Sequence, residues 1–303
     1  MKGHLAAVGL LIALFTGVDG QRCLDTAKEI KPVLSEERIA EFQGRIHNER
    51  TEYSINPDNL TNIVWLGRFL AYTGEYKAAI KIYTDGLNWN PRAPEIYRHR
   101  GHRYITLRCF DDAIKDLEKA AALIKGKPDE IELDGLPNAK NIPTSTLQSN
   151  IWYHLGLAYY LKGDFKRALN AYNECEKVSK NPDMLVATKH WQYMTLRRLG
   201  RKDEAKKSIE AIPADLQLIE NDDYYKLIKL YKGIASGDAL LKEFGEKPDS
   251  VSRATLGYGL GNRYLYHNMR NEATKIFREF LAGKQWASFG YIAAEADLMK
   301  LSN

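Results

Sequence analysis

The chain is poor in cysteine. Cys23, Cys109 and Cys175 are the three it carries in 303 residues, too few for a disulfide framework, so stability is expected to rest on packing. An excess of one charge is missing too. Forty-four Lys and Arg face 39 Asp and Glu, a net charge of +5, without the basic blocks of a nucleic-acid binder. Long apolar runs are absent. The stretch at residues 5–15 is about half of the roughly 20 residues a spanning helix needs, so no stable membrane span is expected. Catalytic signatures are also lacking: no nucleophile elbow, phosphate-cradling glycine loop, His-Glu-x-x-His or cysteine pair at metal spacing occurs. The expectation is a non-catalytic protein with no cofactor and no metal. Asp111-Asp112 and Asp222-Asp223 read as helix caps rather than catalytic carboxylates.

What is present starts at the N-terminus. Lys2, the apolar stretch 5–15 and the small residues Thr16 to Gly20 have the layout of a secretory signal, with cleavage near Gly20-Gln21 and a periplasmic or secreted mature chain. Lipid anchoring at Cys23 is not expected, because Gly20-Gln21-Arg22 lacks the apolar-then-small pattern of lipoprotein processing. The 44% hydrophobic and 11% aromatic content is ample for a core.

Small residues recur in one local setting at Ala79, Ala113, Ala168, Ala205, Ala239 and Ala273. The successive intervals are 34, 55, 37, 34 and 34. Around them lie Leu66-Gly67, Tyr76, Ala79, Tyr83 and Pro91; Gly101, Tyr104, Phe110, Ala113 and Leu117; and Trp152, Leu155-Gly156, Tyr159, Gly163, Phe165, Ala168, Tyr172 and Pro182. Period and pattern resemble the tetratricopeptide-repeat family. Units at 60–93, 94–127 and 149–182 match best. Those at 186–219 and 220–253 degrade, with Tyr193 and Leu227 at the glycine position, and 254–287 recovers Gly261, Ala273 and Phe277.

The resemblance implies an all-α fold, a right-handed superhelical solenoid of about six helix-turn-helix repeats with terminal capping helices. Along the chain this gives a signal peptide at 1–20, N-terminal caps at 21–59, units 1–2 at 60–127, an irregular inserted loop at 128–148, units 3–6 at 149–287 and a C-terminal cap at 288–303. Close approach of paired helices is expected from the small residue at position eight meeting the small one at position twenty.

The same resemblance implies that first helices line a concave groove and that its exposed positions bind peptide. Carried onto this chain, those positions include Arg68, Tyr72, Arg98, His102, Tyr153, Tyr160, His190, Arg197, Tyr224, Tyr231, Tyr258 and Asn262. A basic, tyrosine-rich groove with no carboxylate suits a peptide or partner protein bearing acidic or carboxylate groups. The expected function is a protein-binding scaffold in the cell envelope. Its rivals are an oligomerising structural component using its convex face or ends, and a metal carrier or enzyme in which His99 and His102, with His154 or His190, work under the 128–148 loop. Cys175 is expected in the core, and Cys23 is the one cysteine free to find a partner thiol.

Overall fold

The computed structural model describes residues 23–301; the expected signal segment and cleavage point lie outside them. The fold is all-α. A helical turn at 23–26 and an extended segment lead into α1 (Glu36–Ile55). Helix pairs follow: α2 (Leu60–Tyr72) with α3 (Tyr76–Trp89), α4 (Pro94–Thr106) with α5 (Phe110–Ile124), and α6 (Leu147–Lys162) with α7 (Phe165–Val178). After them come α8 (Pro182–Arg198) with α9 (Lys202–Glu210), α10 (Asp222–Tyr231) with α11 (Gly237–Glu246), and α12 (Val251–Leu265) with α13 (Arg270–Leu281), before α14 (Phe289–Leu301) closes the chain.

Local chemistry sets these boundaries. Asn59 and Asn181 cap exposed amides at the starts of α2 and α8, and Thr146 forms a capping box with Ser149 at α6. Pro94 and Pro182 occupy first-turn positions, where no donor is lost. Each helix pair packs on the next, and the first helices touch one another in succession along the inner side, which makes the array a solenoid.

The close approach within a pair involves a second partner besides the expected small residue, which for Gly101 is present as Ala113 O, 3.4 Å from where a side-chain carbon would stand. A side-chain carbon added to Gly67 would lie 2.3 Å from Tyr83, one at Gly156 2.7 Å from Tyr172, one at Gly261 2.2 Å from Phe277 and one at Gly101 2.8 Å from Leu117. Position eight therefore seats the large side chain of position twenty-four. Where position eight is itself large, position twenty-four is not aromatic: Tyr193 goes with Ile209, and Leu227 with Glu243. In the fifth unit Leu227 packs instead against Gly259 of the sixth, and Glu243 pairs with Lys226 and Lys247.

The cysteines differ from expectation. Cys23 and Cys109 form a disulfide across 86 residues of sequence. Packing alone was expected to stabilise the fold, with Cys23 left to find a partner thiol. The extended segment instead runs back over unit 1, where Glu29 accepts from Lys77 N at 2.7 Å and Pro32 lies against Gly74. This course brings Cys23 to the turn of unit 2. Closing a loop of that length restricts the unfolded chain by about 4–5 kcal/mol in the chain-entropy model. Cys175 is buried among Thr188, Ser149 and Ser179, and burial pushes its thiol up to about 11.

Candidate functional site

Two elements from elsewhere in the chain fill much of the concave side. The first is the inserted segment. Its ends are clasped by a bridge between Ile131 and Thr146, by Glu132 N donating to Ser145 O (3.3 Å) and by Leu147 N donating to Glu130 O (2.9 Å). The segment forms a strap over the first helices. Glu132 forms an ion pair with Arg98 Nη2 at 2.9 Å and lies 3.6 Å from His99 Nε2; Arg68 donates to the Leu133 carbonyl at 2.7 Å, with Asp134 at 3.7 Å.

The second element is α14, expected as a polar-faced cap on the last unit. It packs on α12 and α13 but also reaches α6. Glu295 accepts from Arg108 Nε at 2.8 Å, Lys300 donates to Leu161 O at 3.1 Å, and Phe289 lies against His102 and His154. Asp297, 4% exposed, accepts from both terminal nitrogens of Arg198 at 2.9 Å and from Tyr258 at 3.0 Å. The Tyr258 hydroxyl also meets Tyr160, and Asn262 Oδ1 accepts from Tyr160 and Arg198, both at 3.2 Å.

The expected open groove is consequently divided. Arg68, Arg98, His102, Tyr153 and Tyr224 converge on one cavity of about 300 Å³, roofed by strap residues and bounded by Phe289. His102 and Tyr224 also line a second cavity of about 340 Å³, between the 30–33 segment and residues 284–289. Tyr72 holds Arg68 through its hydroxyl at 3.2 Å. Tyr160, Tyr258 and Asn262 are buried in the α14 network rather than exposed. His190 is 1% exposed, stacked between Tyr224 and Tyr231, and Tyr231 in turn stacks on Tyr193 at 4.2 Å. Arg197 lies over the Tyr266 ring at 4.0 Å and donates to Tyr193. The physical reason for the difference is that guanidinium and tyrosine groups on an inward-facing surface need partners when buried, and the chain supplies them itself.

Of the carboxylates that do this, Glu295 and Asp297 escaped the sequence reading, and Glu132 and Asp134 were read only as part of an acidic stretch facing a basic helix. The acidity of residues 129–134 was visible next to the basic helix, and its docking on Arg98 could have been inferred from that. Glu295 and Asp297 sit two apart in a helix read as a cap, and no sequence signal links them to Arg108 and Arg198.

Burial dominates the electrostatics. It pushes His99, His102 and His154 well below the usual histidine range, with neighbouring arginines adding to the effect, and lowers His190 to about 3. All four are neutral near pH 7. His154 Nδ1 lies 2.6 Å from Asn150 O, so that nitrogen carries the proton. The histidines do not gather as a metal set: the His102 and His154 rings lie 4.4 Å apart at a tilt of 43°, whereas His99 stacks on Tyr83 and His190 on tyrosines. Among the described residues the one grouping of three potential ligand atoms is Cys23, Cys109 and Asp112, and its sulfurs are bonded to each other.

Comparison with known proteins bears on the repeat. The tetratricopeptide repeat model matches residues 149–182, the unit in which Gly156 seats the Tyr172 ring. The BBSome complex member BBS4 of Bos taurus is 27% identical over 142 residues, covering 47% of this chain and 23% of that protein. The chain thus spans about a quarter of that relative's length. A tetratricopeptide repeat protein from Parabacteroides merdae superposes with a TM-score of 0.50 at 14% identity, covering 91% of this chain and 99% of that one. YrrB, a TPR protein with an unusual peptide-binding site, gives 0.44 at 16% identity over 84% and 98%, and MamA 0.45 at 19% over 58% and 88%. The matched unit and the superposition on the Parabacteroides merdae protein show that the chain has a tetratricopeptide-type repeat at 149–182 and the fold of such repeats.

Proposed function

We propose that the chain is a non-catalytic, exported scaffold that binds another polypeptide at the mouth of its concave face, where the strap crosses the first helices. The observation that carries this reading is the strap itself. An acidic segment already lies on the basic wall, offering a carboxylate to Arg98 and a main-chain carbonyl to Arg68. A partner segment would use the same two kinds of contact. The strap adds apolar contact area: Ile131, Leu133, Leu136 and Ile142 are all exposed, and exposed apolar patches mark interaction surfaces. Export is supported by the signal-like N-terminus and by the Cys23–Cys109 bridge, which suits an oxidising compartment such as the periplasm or the exterior.

The test is site-specific photo-crosslinking in the producing cell. The probe residue replaces exposed Lys140 or Glu220 beside the mouth and, as controls, exposed Lys166 or Lys206 on second helices. Adducts with a distinct polypeptide from the mouth positions alone support the reading. Adducts from the second-helix positions alone, or adducts only with a second copy of this chain, overturn it in favour of an oligomerising component.

A further inference from the structure

Four consecutive residues of the strap lie on the first helices as a bound peptide would. Glu132 pairs with Arg98 Nη2 at 2.9 Å, the Leu133 carbonyl accepts from Arg68 at 2.7 Å, and Asp134 lies 3.7 Å from the same guanidinium. A side-chain carbon on Gly135 would fall 2.7 Å from the Tyr72 hydroxyl and 3.1 Å from the Trp65 ring, so this backbone approach needs glycine. The receiving groups are held by their own helices. Arg68 lies over the Trp65 ring at 4.5 Å and donates to the Tyr72 hydroxyl at 3.2 Å, and Arg98, 8% exposed, is 2.9 Å from His99 Nδ1. Units 1 and 2 thus present a preformed site for a carboxylate, a carbonyl, a second carboxylate and a glycine in sequence.

The strap fills this site incompletely. Arg98 Nε and Glu132 Oε2 are buried without partners, so the two-bond pairing open to a guanidinium and a carboxylate is not made. Asp134 stands beyond hydrogen-bond distance of Arg68, and about 300 Å³ stays open between the strap and the helices. Apolar burial adds little, because Ile131, Leu133, Leu136 and Ile142 are all exposed. Lifting residues 132–135 away would therefore uncover little apolar surface. The base of the strap would stay in place, clasped by the Ile131–Thr146 bridge and by Asp129, which accepts from Thr146 Oγ1 at 2.7 Å and from Gln148 N at 3.0 Å. Local opening of this kind leaves the start of α6 intact.

We infer that residues 132–135 are a built-in competitor for a partner polypeptide. The site they fill recognises an extended acidic segment, two carboxylates flanking one residue and followed by glycine, and the partner binds by displacing the strap. This rests on the reading that a polypeptide binds at the mouth; it adds what that polypeptide carries and what it removes. Tethering gives the strap an effective concentration roughly in the millimolar range. Weak acidic segments are thereby kept off, and a segment that makes the second bond to Arg98 and a direct carboxylate bond to Arg68 displaces the strap.

The probe is a fluorescein-labelled, C-terminally amidated peptide copying the strap, Ile-Glu-Leu-Asp-Gly-Leu, titrated with the mature protein and read by anisotropy. Binding to the unaltered protein should be weak, because the strap competes. Glu132→Gln with Asp134→Asn, which leaves every residue of the helices in place, should tighten it about tenfold or more, the worth of one charge-assisted hydrogen bond taken from the competitor. Adding Arg68→Gln should cancel the gain, and a peptide with Gln and Asn for its two acids should not show it. Should the strap variant not fold, Gly135→Ala, which loosens the strap through steric contact with Tyr72, should tighten peptide binding in the same way. Equal affinity in the unaltered protein and a folded strap variant, or a gain that survives Arg68→Gln, would overturn the proposal. Crosslinks at the mouth without any gain in peptide affinity would mean that the partner sits on a docked strap, which sinks this proposal and leaves the scaffold reading standing; a gain without crosslinks does the reverse.

Discussion

Replacing Asp297 by Ala isolates what α14 contributes. The carboxylate is 4% exposed and accepts two bonds from Arg198 and one from Tyr258. The Arg198 side chain is itself only 16% exposed. Removing one partner of a buried ion pair leaves the other charge uncompensated, at a cost of about 3–5 kcal/mol. That is a large part of the roughly 5–15 kcal/mol by which a domain is stable. With an m-value near 3 kcal/mol/M, it corresponds to a fall of about 1–2 M in the urea midpoint, read by helical circular dichroism. The double variant Asp297→Leu, Arg198→Met removes both charges and should recover most of the loss, since apolar replacement of a buried pair is often neutral. A cost below about 1 kcal/mol for Asp297→Ala would refute the reasoning, because α14 would then not be docked through this network.

Three further outcomes follow from the packing and the charges. Gly156→Ala should cost about 1–3 kcal/mol by driving a methyl group into the buried Tyr172 ring, whereas Gly44→Ala, exposed in α1 with open space around it, should gain about 0.5–1 kcal/mol; thermal melts of both variants check the pair. Cys23→Ser with Cys109→Ser should cost about 2–5 kcal/mol, and a melt unchanged by the double substitution would contradict a formed bridge. Acid should destabilise the fold: His99, His102, His154 and His190 have folded values below the unfolded one, so their neutral forms stabilise above about pH 6.5 and that stability is lost as pH falls toward the folded values, about 3 for His190. Each group contributes a slope of up to about 1.4 kcal/mol per pH unit in that window, and His190→Phe should flatten the decline between pH 7 and 5. An unchanged profile would show that His190 is not buried neutral.

Much of the fold was legible in the sequence because a solenoid writes its contacts locally. Gly67 and Tyr83, or Gly156 and Tyr172, lie sixteen residues apart, within one repeat, so a 34-residue period carries both partners. Which atoms touch was less legible: Gly67, Gly156 and Gly261 also seat the aromatic ring of position twenty-four, a matter of side-chain direction that spacing does not report. The concave site was only half legible for the same reason. Arg68, Arg98, His102, Tyr153 and Tyr224 were found because repeat register aims them inward. Glu132, the partner of Arg98, and Glu295 and Asp297, the partners of Arg108 and Arg198, lie outside the repeats, and 99 residues separate Arg198 from Asp297. Cys23 and Cys109 likewise meet through an extended segment with no periodicity to place it.

The central claim is that the concave face is closed by the chain's own strap and last helix. Amide hydrogen exchange of α14 tests it most directly. The account predicts that the amides of Ile292 to Asp297 exchange as slowly as those of α6, and that Asp297→Ala speeds them selectively. Fast exchange throughout α14 in the unaltered protein, like that of a frayed terminus, would contradict it.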